Sequence, residues 1–157
     1  MLKYLNTQVT FAEVPDEITL CINITGCKNG CKNCHSSYLA QDIGTELTFN
    51  EVRKLIKKNS GISCIALMGG DAEPDKINTL ASFIINHYGS IKVAWYSGRQ
   101  ELNNNIDLCN FGYIKLGPYK EEFGPLNSRT TNQRFYKVNG KELVDITNKF
   151  WKHETEN

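Results

Sequence analysis

Residues 62–98 read ISCIALMGGDAEPDKINTLASFIINHYGSIKVAWYSG, and this stretch decides the fold. Residues 62–68 form a nearly continuous apolar run, the pattern of a strand covered on both faces. Gly69-Gly70-Asp71 follows at once. Pro74 then opens a helix at the first position, where its missing N–H costs nothing. Ile77, Leu80, Ile84, Ile85 and Tyr88 recur as one apolar stripe, and Gly89 stops it. Residues 91–96 make another strand, ended by Ser97-Gly98. A strand, a helix and a strand in this order predict parallel pairing through a right-handed crossover. In such sheets, ligands bind at the carboxyl ends of the strands.

The rest of the chain extends this unit. Upstream, residues 9–14 predict a short strand closed by Pro15-Asp16, and residues 18–24 a second strand. Thr48-Phe49-Asn50-Glu51 is a capping box. The helix it opens places Phe49, Val52, Leu55 and Ile56 on one face and ends at Asn59-Ser60-Gly61. Its basic residues, Arg53, Lys54, Lys57 and Lys58, fall largely elsewhere and read as a solvated surface. Downstream, residues 100–106 predict a short Asn-rich helix and residues 111–116 a strand. Residues 117–133 have no period and contain two prolines, which predicts a functional, partner-facing loop. Residues 135–138 and 141–144 flank Asn139-Gly140, the strongest short hairpin signal. A closing helical turn is expected over 145–151 and a frayed end over 153–157.

The 157 residues suffice for one α/β domain spanning 1–157. A net charge of +1 supplies no global field toward nucleic acid or an anionic membrane, so neither is an expected partner. No apolar run approaches the length of a bilayer span. Residues 1–10 carry no apolar signal core, and six cysteines without one predict a reducing, cytoplasmic setting rather than a disulfide framework.

Three of those cysteines stand together after the second strand. Gly26-Cys27-Lys28-Asn29-Gly30-Cys31-Lys32-Asn33-Cys34-His35 spells C-x3-C-x2-C. Three thiolates on one short loop suit three irons of a [4Fe-4S] cluster, whose usual ligand set is four cysteines. A motif that stops at three leaves one iron open, as in catalytic metal sites. Other readings of the loop remain. Cys31-Lys32-Asn33-Cys34-His35 matches the c-type haem attachment pattern. Cys27, Cys31, Cys34 and His35 could form a zinc knot, although His35 adjoins Cys34 and makes tetrahedral ligation awkward. A thioredoxin-like pair leaves Cys27 unexplained. Cys21 and Cys64 sit in apolar runs and read as small buried hydrophobes, and Cys109 has no evident partner.

The cysteine loop, Gly69-Gly70-Asp71 and Ser97-Gly98 all fall at carboxyl ends of predicted strands. Gly69 and Gly70 let backbone approach a ligand closely, their carbonyls accepting from an ammonium group that Asp71 reinforces with charge. A plain strand-to-helix turn is the alternative. Ser97 is a candidate for a sugar hydroxyl or a carboxylate, with a turn serine as the other reading. His35 is a candidate to stack or hydrogen-bond at a cluster, and the Asn33 backbone to meet a planar base.

Taken together, Cys27, Cys31 and Cys34 with Gly69-Gly70-Asp71 resemble the radical S-adenosylmethionine superfamily. More narrowly, the chain resembles the activating proteins of anaerobic ribonucleotide reductases. Residues 9–15 leading to Ile24-Thr25-Gly26-Cys27 resemble that family's entry strands. Met68-Gly69-Gly70-Asp71 resembles its form of the glycine motif. Gly117-Pro118-Tyr119, Leu126-Asn127-Ser128 and residues 130–136 resemble its C-terminal signature. Asn33 departs from the aromatic or glycine that many relatives place before the third cysteine. The resemblance implies a shortened, open partial (β/α) barrel of four or five strands after the entry segment, with a C-terminal hairpin. It implies a [4Fe-4S] cluster on Cys27, Cys31 and Cys34. It implies S-adenosylmethionine held by Asn33, Cys34, His35, Gly69, Gly70, Asp71 and Ser97. The implied reaction is reductive cleavage to a 5′-deoxyadenosyl radical, which takes hydrogen from a glycine Cα of anaerobic ribonucleoside-triphosphate reductase. A low-potential donor such as flavodoxin or ferredoxin supplies the electron. Two other classes fit the residues: an activase of a different glycyl-radical enzyme, and a non-enzymatic zinc-binding interaction module.

Overall fold

A computed structural model describes residues 1–26 and 41–151. Among the described residues, eight strands form one open sheet in the order β3-β1-β2-β4-β5-β6-β7-β8, with two α-helices between strands. The strands are β1 (Lys3–Thr10), β2 (Thr19–Ile24), β3 (Thr45–Glu46), β4 (Cys64–Met68), β5 (Lys92–Tyr96), β6 (Tyr113–Leu116), β7 (Arg134–Asn139) and β8 (Glu142–Asp145). The helices are α1 (Phe49–Lys58) and α2 (Pro74–His87). β2, β4, β5 and β6 pair in parallel, as the alternation of strand and helix predicts. β1 and β3 are antiparallel additions on one side, β7 and β8 on the other. No helix is long and apolar enough to cross a membrane among the described residues.

Local chemistry explains the helix ends. The Thr48 hydroxyl accepts from the Glu51 N–H at 3.1 Å, the capping bond expected from the sequence. Pro74 starts α2 at its first turn. Val52 and Leu55 of α1 and Ile77, Leu80, Ala81 and Ile84 of α2 are buried against one sheet face, beside Leu20, Ile22, Ile24, Ile65, Leu67, Val93, Trp95 and Ile114. The opposite face carries a second, smaller core of Val14, Cys21, Cys64, Ala66, Ala94, Tyr113 and Phe135. Small residues predominate there because chain segments, not helices, lie over it: Val14, Leu126, Ile146 and Phe150 all pack onto this core.

Three sequence expectations need correction. The first strand spans Lys3–Thr10 rather than 9–14. Residues 11–14 bend over the second face instead, where Val14 is fully buried and the Glu13 carbonyl accepts from the Tyr96 hydroxyl. Residues 100–106 are not helical. The Asn103 side chain accepts from the Asn105 N–H at 2.8 Å, and its carbonyl from the Ile106 N–H, so asparagine turn chemistry wins over the helix. The sheet also has more strands than the four or five expected after the entry segment, β3 among them. The C-terminal hairpin is as expected, with Gly140 at φ +65° in the turn. The helical turn expected over 145–151 is a 3-10 turn, Thr147–Phe150.

Glu17 fastens the amino edge of the sheet. Its carboxylate accepts from Ser63 at 2.8 Å, Lys92 at 2.8 Å and Tyr113 at 2.6 Å, and the residue is buried. Burial pushes its pKa up, but the bonds from Lys92, Tyr113 and Ser63 outweigh burial and hold it below the ordinary value. A lowered folded value stabilises the fold above the unfolded value, about 4.3, and that stabilisation is lost as pH falls through the folded one. Lys92 is half exposed, so solvent screens its share. Glu17→Gln is expected to cost about 1–3 kcal/mol at neutral pH. Urea melts at pH 7 and pH 3 check this: the gap between variant and wild type narrows in acid, and a gap that widens contradicts the assignment.

Candidate cofactor site

The four parallel strands end on one edge of the sheet. Across them Asn23, Met68, Tyr96 and Lys115 stand in register as a row. Just beyond lie Gly26, Gly69–Asp71, Ser97-Gly98 and Gly117. The sequence expectation that these segments converge is therefore met for residues 69–71 and 97–98. Cys27 follows Gly26 directly in the chain, but Cys27, Cys31, Asn33, Cys34 and His35 lie outside the described residues. Among the described residues no group of His, Cys, Asp or Glu is arranged to hold a metal.

The glycine turn is tightly built. Gly69 has φ +116° and Gly70 φ +89°, backbone that side-chain-bearing residues rarely adopt. A Cβ on Gly69 would lie 3.2 Å from the Ile24 carbonyl oxygen, and one on Gly70 only 2.5 Å from Ile77 Cδ1. Both glycines thus answer to the protein's own packing. The Gly69 N–H donates to the Tyr96 carbonyl at 3.1 Å, and the Trp95 indole N–H donates to the Gly69 carbonyl at 2.7 Å. The Gly70 carbonyl accepts from the Glu73 N–H at 3.0 Å.

Asp71 and Ser97 meet each other. The Ser97 hydroxyl donates to Asp71 Oδ1 at 2.5 Å, and the Gly98 N–H donates to Oδ2 at 2.8 Å. The Ser97 oxygen also accepts from the Arg99 N–H at 3.1 Å. Asp71 is 6% exposed and Ser97 1%.

Sequence reasoning passed over four residues of this edge. Lys115 is buried, and its ammonium donates to the carbonyls of Ser97 at 3.2 Å and Gly117 at 2.8 Å. Its signal was a cation inside the apolar run of residues 111–116. Tyr96 stands between Met68 and Lys115 in the row, and burial pushes its phenol well above the ordinary value. Asn23 donates to Asn6 on β1 at 2.5 Å. Trp95 read as core, and its ring is core, but its N–H reaches the turn.

A cavity of about 350 Å³ opens at this edge, lined by Leu2, Lys3, Thr25, Gly26, Asp42 and Gly70 among others. Its volume falls at the lower end of small-ligand sites. Carboxylates stand in its wall, Asp42 with Lys3 at 3.2 Å and Glu73 with the terminal amine at 2.5 Å. Both carboxylates are already paired with cations of the chain itself, so it is the cavity's size that suits a small ligand.

The 117–133 loop is ordered by its own turns. The Thr130 hydroxyl donates to the Phe123 carbonyl at 2.6 Å, and the Asn132 side chain to the Pro118 carbonyl at 3.0 Å. Leu126 packs into the second core, while Phe123 and Arg129 are exposed, Arg129 stacking on Trp151. No family profile, curated protein or solved structure matches the chain.

Proposed function

We propose that the chain is a radical S-adenosylmethionine activase that generates a glycyl radical on an anaerobic ribonucleotide reductase. One observation supports this best. The segment carrying C-x3-C-x2-C leaves the carboxyl end of β2, and the turn carrying Gly69-Gly70-Asp71 leaves the carboxyl end of its parallel neighbour β4. The open, part-parallel sheet is compatible with a shortened partial barrel, whose open side suits a substrate that is a loop of another protein.

In this reading Cys27, Cys31 and Cys34 would hold a [4Fe-4S] cluster, and Gly69, Gly70 and Asp71 would lie beside the S-adenosylmethionine it serves. When bound and reduced by an external low-potential donor, the cluster would supply one electron to the sulfonium; the C5′–S bond would break to methionine and a 5′-deoxyadenosyl radical, which would become 5′-deoxyadenosine by taking one hydrogen atom from the glycine Cα. The chain's own residues orient the ligand and exclude water. The Gly69 and Gly70 carbonyls each keep a lone pair beyond their internal donors, free to accept from an ammonium group. The second core behind the row of Asn23, Met68, Tyr96 and Lys115 keeps water from the sheet's inner face.

Protein prepared without oxygen is expected to be brown, with iron and sulfide in equal amounts and no zinc. Elemental and sulfide determination checks this. Colourless protein holding zinc would instead favour the interaction module.

A further inference from the structure

Each of five consecutive residues, 95 to 99, hydrogen-bonds to Gly69 or Asp71. Trp95 donates through its indole to the Gly69 carbonyl, and the Tyr96 carbonyl accepts from the Gly69 N–H. Ser97 and Gly98 donate to the two Asp71 carboxylate oxygens, and Arg99 Nη2 donates to the Asp71 carbonyl at 3.4 Å. We propose that this segment is a latch that sets the glycine turn for its ligand, with Asp71, Ser97 and Trp95 as positioning residues. The inference rests on the S-adenosylmethionine reading of the site.

The physical need is entropic. Two adjacent glycines are the most mobile backbone a chain can offer, and their carbonyls make a poor cradle unless something fixes them. The Trp95 indole takes one lone pair of the Gly69 carbonyl and so aims the other. Asp71 pins the far side of the turn. Both its oxygens accept from residues 97 and 98, which turns a carboxylate into a peg between two strand ends. Ser97 has one hydroxyl proton, and it is committed to Asp71 while the oxygen accepts from Arg99. Ser97 therefore acts on a ligand through the turn, not by donating to it.

A direct contact and a latch predict different couplings. If Asp71 met the ligand's amine itself, Ser97→Ala would be mild, Asp71→Asn severe, and Trp95→Phe, which touches only the Gly69 carbonyl, without effect on affinity. If the two form one latch, either change breaks it and the second adds nothing. The test uses the full chain reconstituted with iron and sulfide without oxygen. Wild type, Ser97→Ala, Asp71→Asn and the double variant are compared for iron content, melting temperature and S-adenosylmethionine affinity. Affinity is read from the change in the reduced cluster's electron paramagnetic resonance signal. The latch predicts retained iron, affinity about 10-fold to 100-fold weaker in each single variant, and a double variant within about twofold of the weaker single. Trp95→Phe, which keeps a ring but loses the N–H, is expected to weaken affinity in the same way and replaces Asp71→Asn should that variant not fold. Unchanged affinity with a lowered melting temperature overturns the latch, as does an additive double variant. A wild-type chain that holds iron but binds no S-adenosylmethionine overturns the reading of the site itself, and the latch with it.

Discussion

Replacing Cys27, Cys31 or Cys34 by alanine is expected to reduce cluster iron to background in protein reconstituted without oxygen, whereas Cys21→Ala, Cys64→Ala and Cys109→Ala keep it. Spacing favours the first three: they share one loop within a C-x3-C-x2-C pattern. The structure disfavours the others. Cluster ligands are thiolates. Burial pushes the Cys21 thiol up to about 12, helped by nearby Glu13, and burial with nearby Glu17 pushes Cys64 up to about 12. Both are protonated at neutral pH and sit among Ala66, Ala94 and Phe135, where a cluster has no room. Cys109 is exposed, but its hydrogen bond with Asp107 raises it as well, and it sits on the separate 3-10 turn Leu108–Asn110. Cys64→Ala should lower the melting temperature through lost packing and still carry iron. Iron lost from Cys64→Ala but retained in Cys31→Ala would reverse the assignment.

Much of this fold was legible because local and global signals agree in its central unit. The run from Ile62 to Met68, the Pro74 start and the stripe from Ile77 to Tyr88 each point to one crossover, and the parallel pairing follows. The hairpin at Asn139-Gly140 was legible for the same reason. The N-terminal strand was misplaced because residues 9–14, closed by Pro15-Asp16, read locally as a strand, while Val14 and Glu13 are fixed by contacts across the sheet that no local pattern records. β3 has two residues and exists only through pairing with Lys3 and Tyr4. At the site, the convergence of Gly69–Asp71 with Ser97 was legible from strand ends. Their mutual bonding was not, because spacing places residues on an edge without saying which way their hydrogen bonds run. Lys115 was missed because a buried cation in an apolar strand is legible only once the carbonyls of Ser97 and Gly117 are seen around it.

Gly70→Val is expected to cost roughly 2–6 kcal/mol and to leave most of the protein unfolded under mild denaturant, before any question of ligand clearance arises. Two costs add. A side chain at φ +89° is strained by about 1–3 kcal/mol. Its Cβ also meets Ile77 Cδ1 at 2.5 Å and Cγ1 at 2.8 Å, and Ile77 is fully buried in the main core, so overpacking adds about 1–3 kcal/mol. The two are separable. Ile77→Ala removes both colliding atoms and alone costs about 2–5 kcal/mol through the cavity it leaves. Gly70→Ala combined with Ile77→Ala should therefore be more stable than the two single effects predict, because the new methyl fills part of that cavity. The φ strain has no such relief and remains as the residual cost. Urea denaturation of the four proteins measures both terms. If the double variant is simply additive, Gly70 does not pack on Ile77 as described. If it is sub-additive and folds, it becomes the right background for asking whether a side chain at this turn excludes S-adenosylmethionine, a question that Gly70→Val alone confounds with folding.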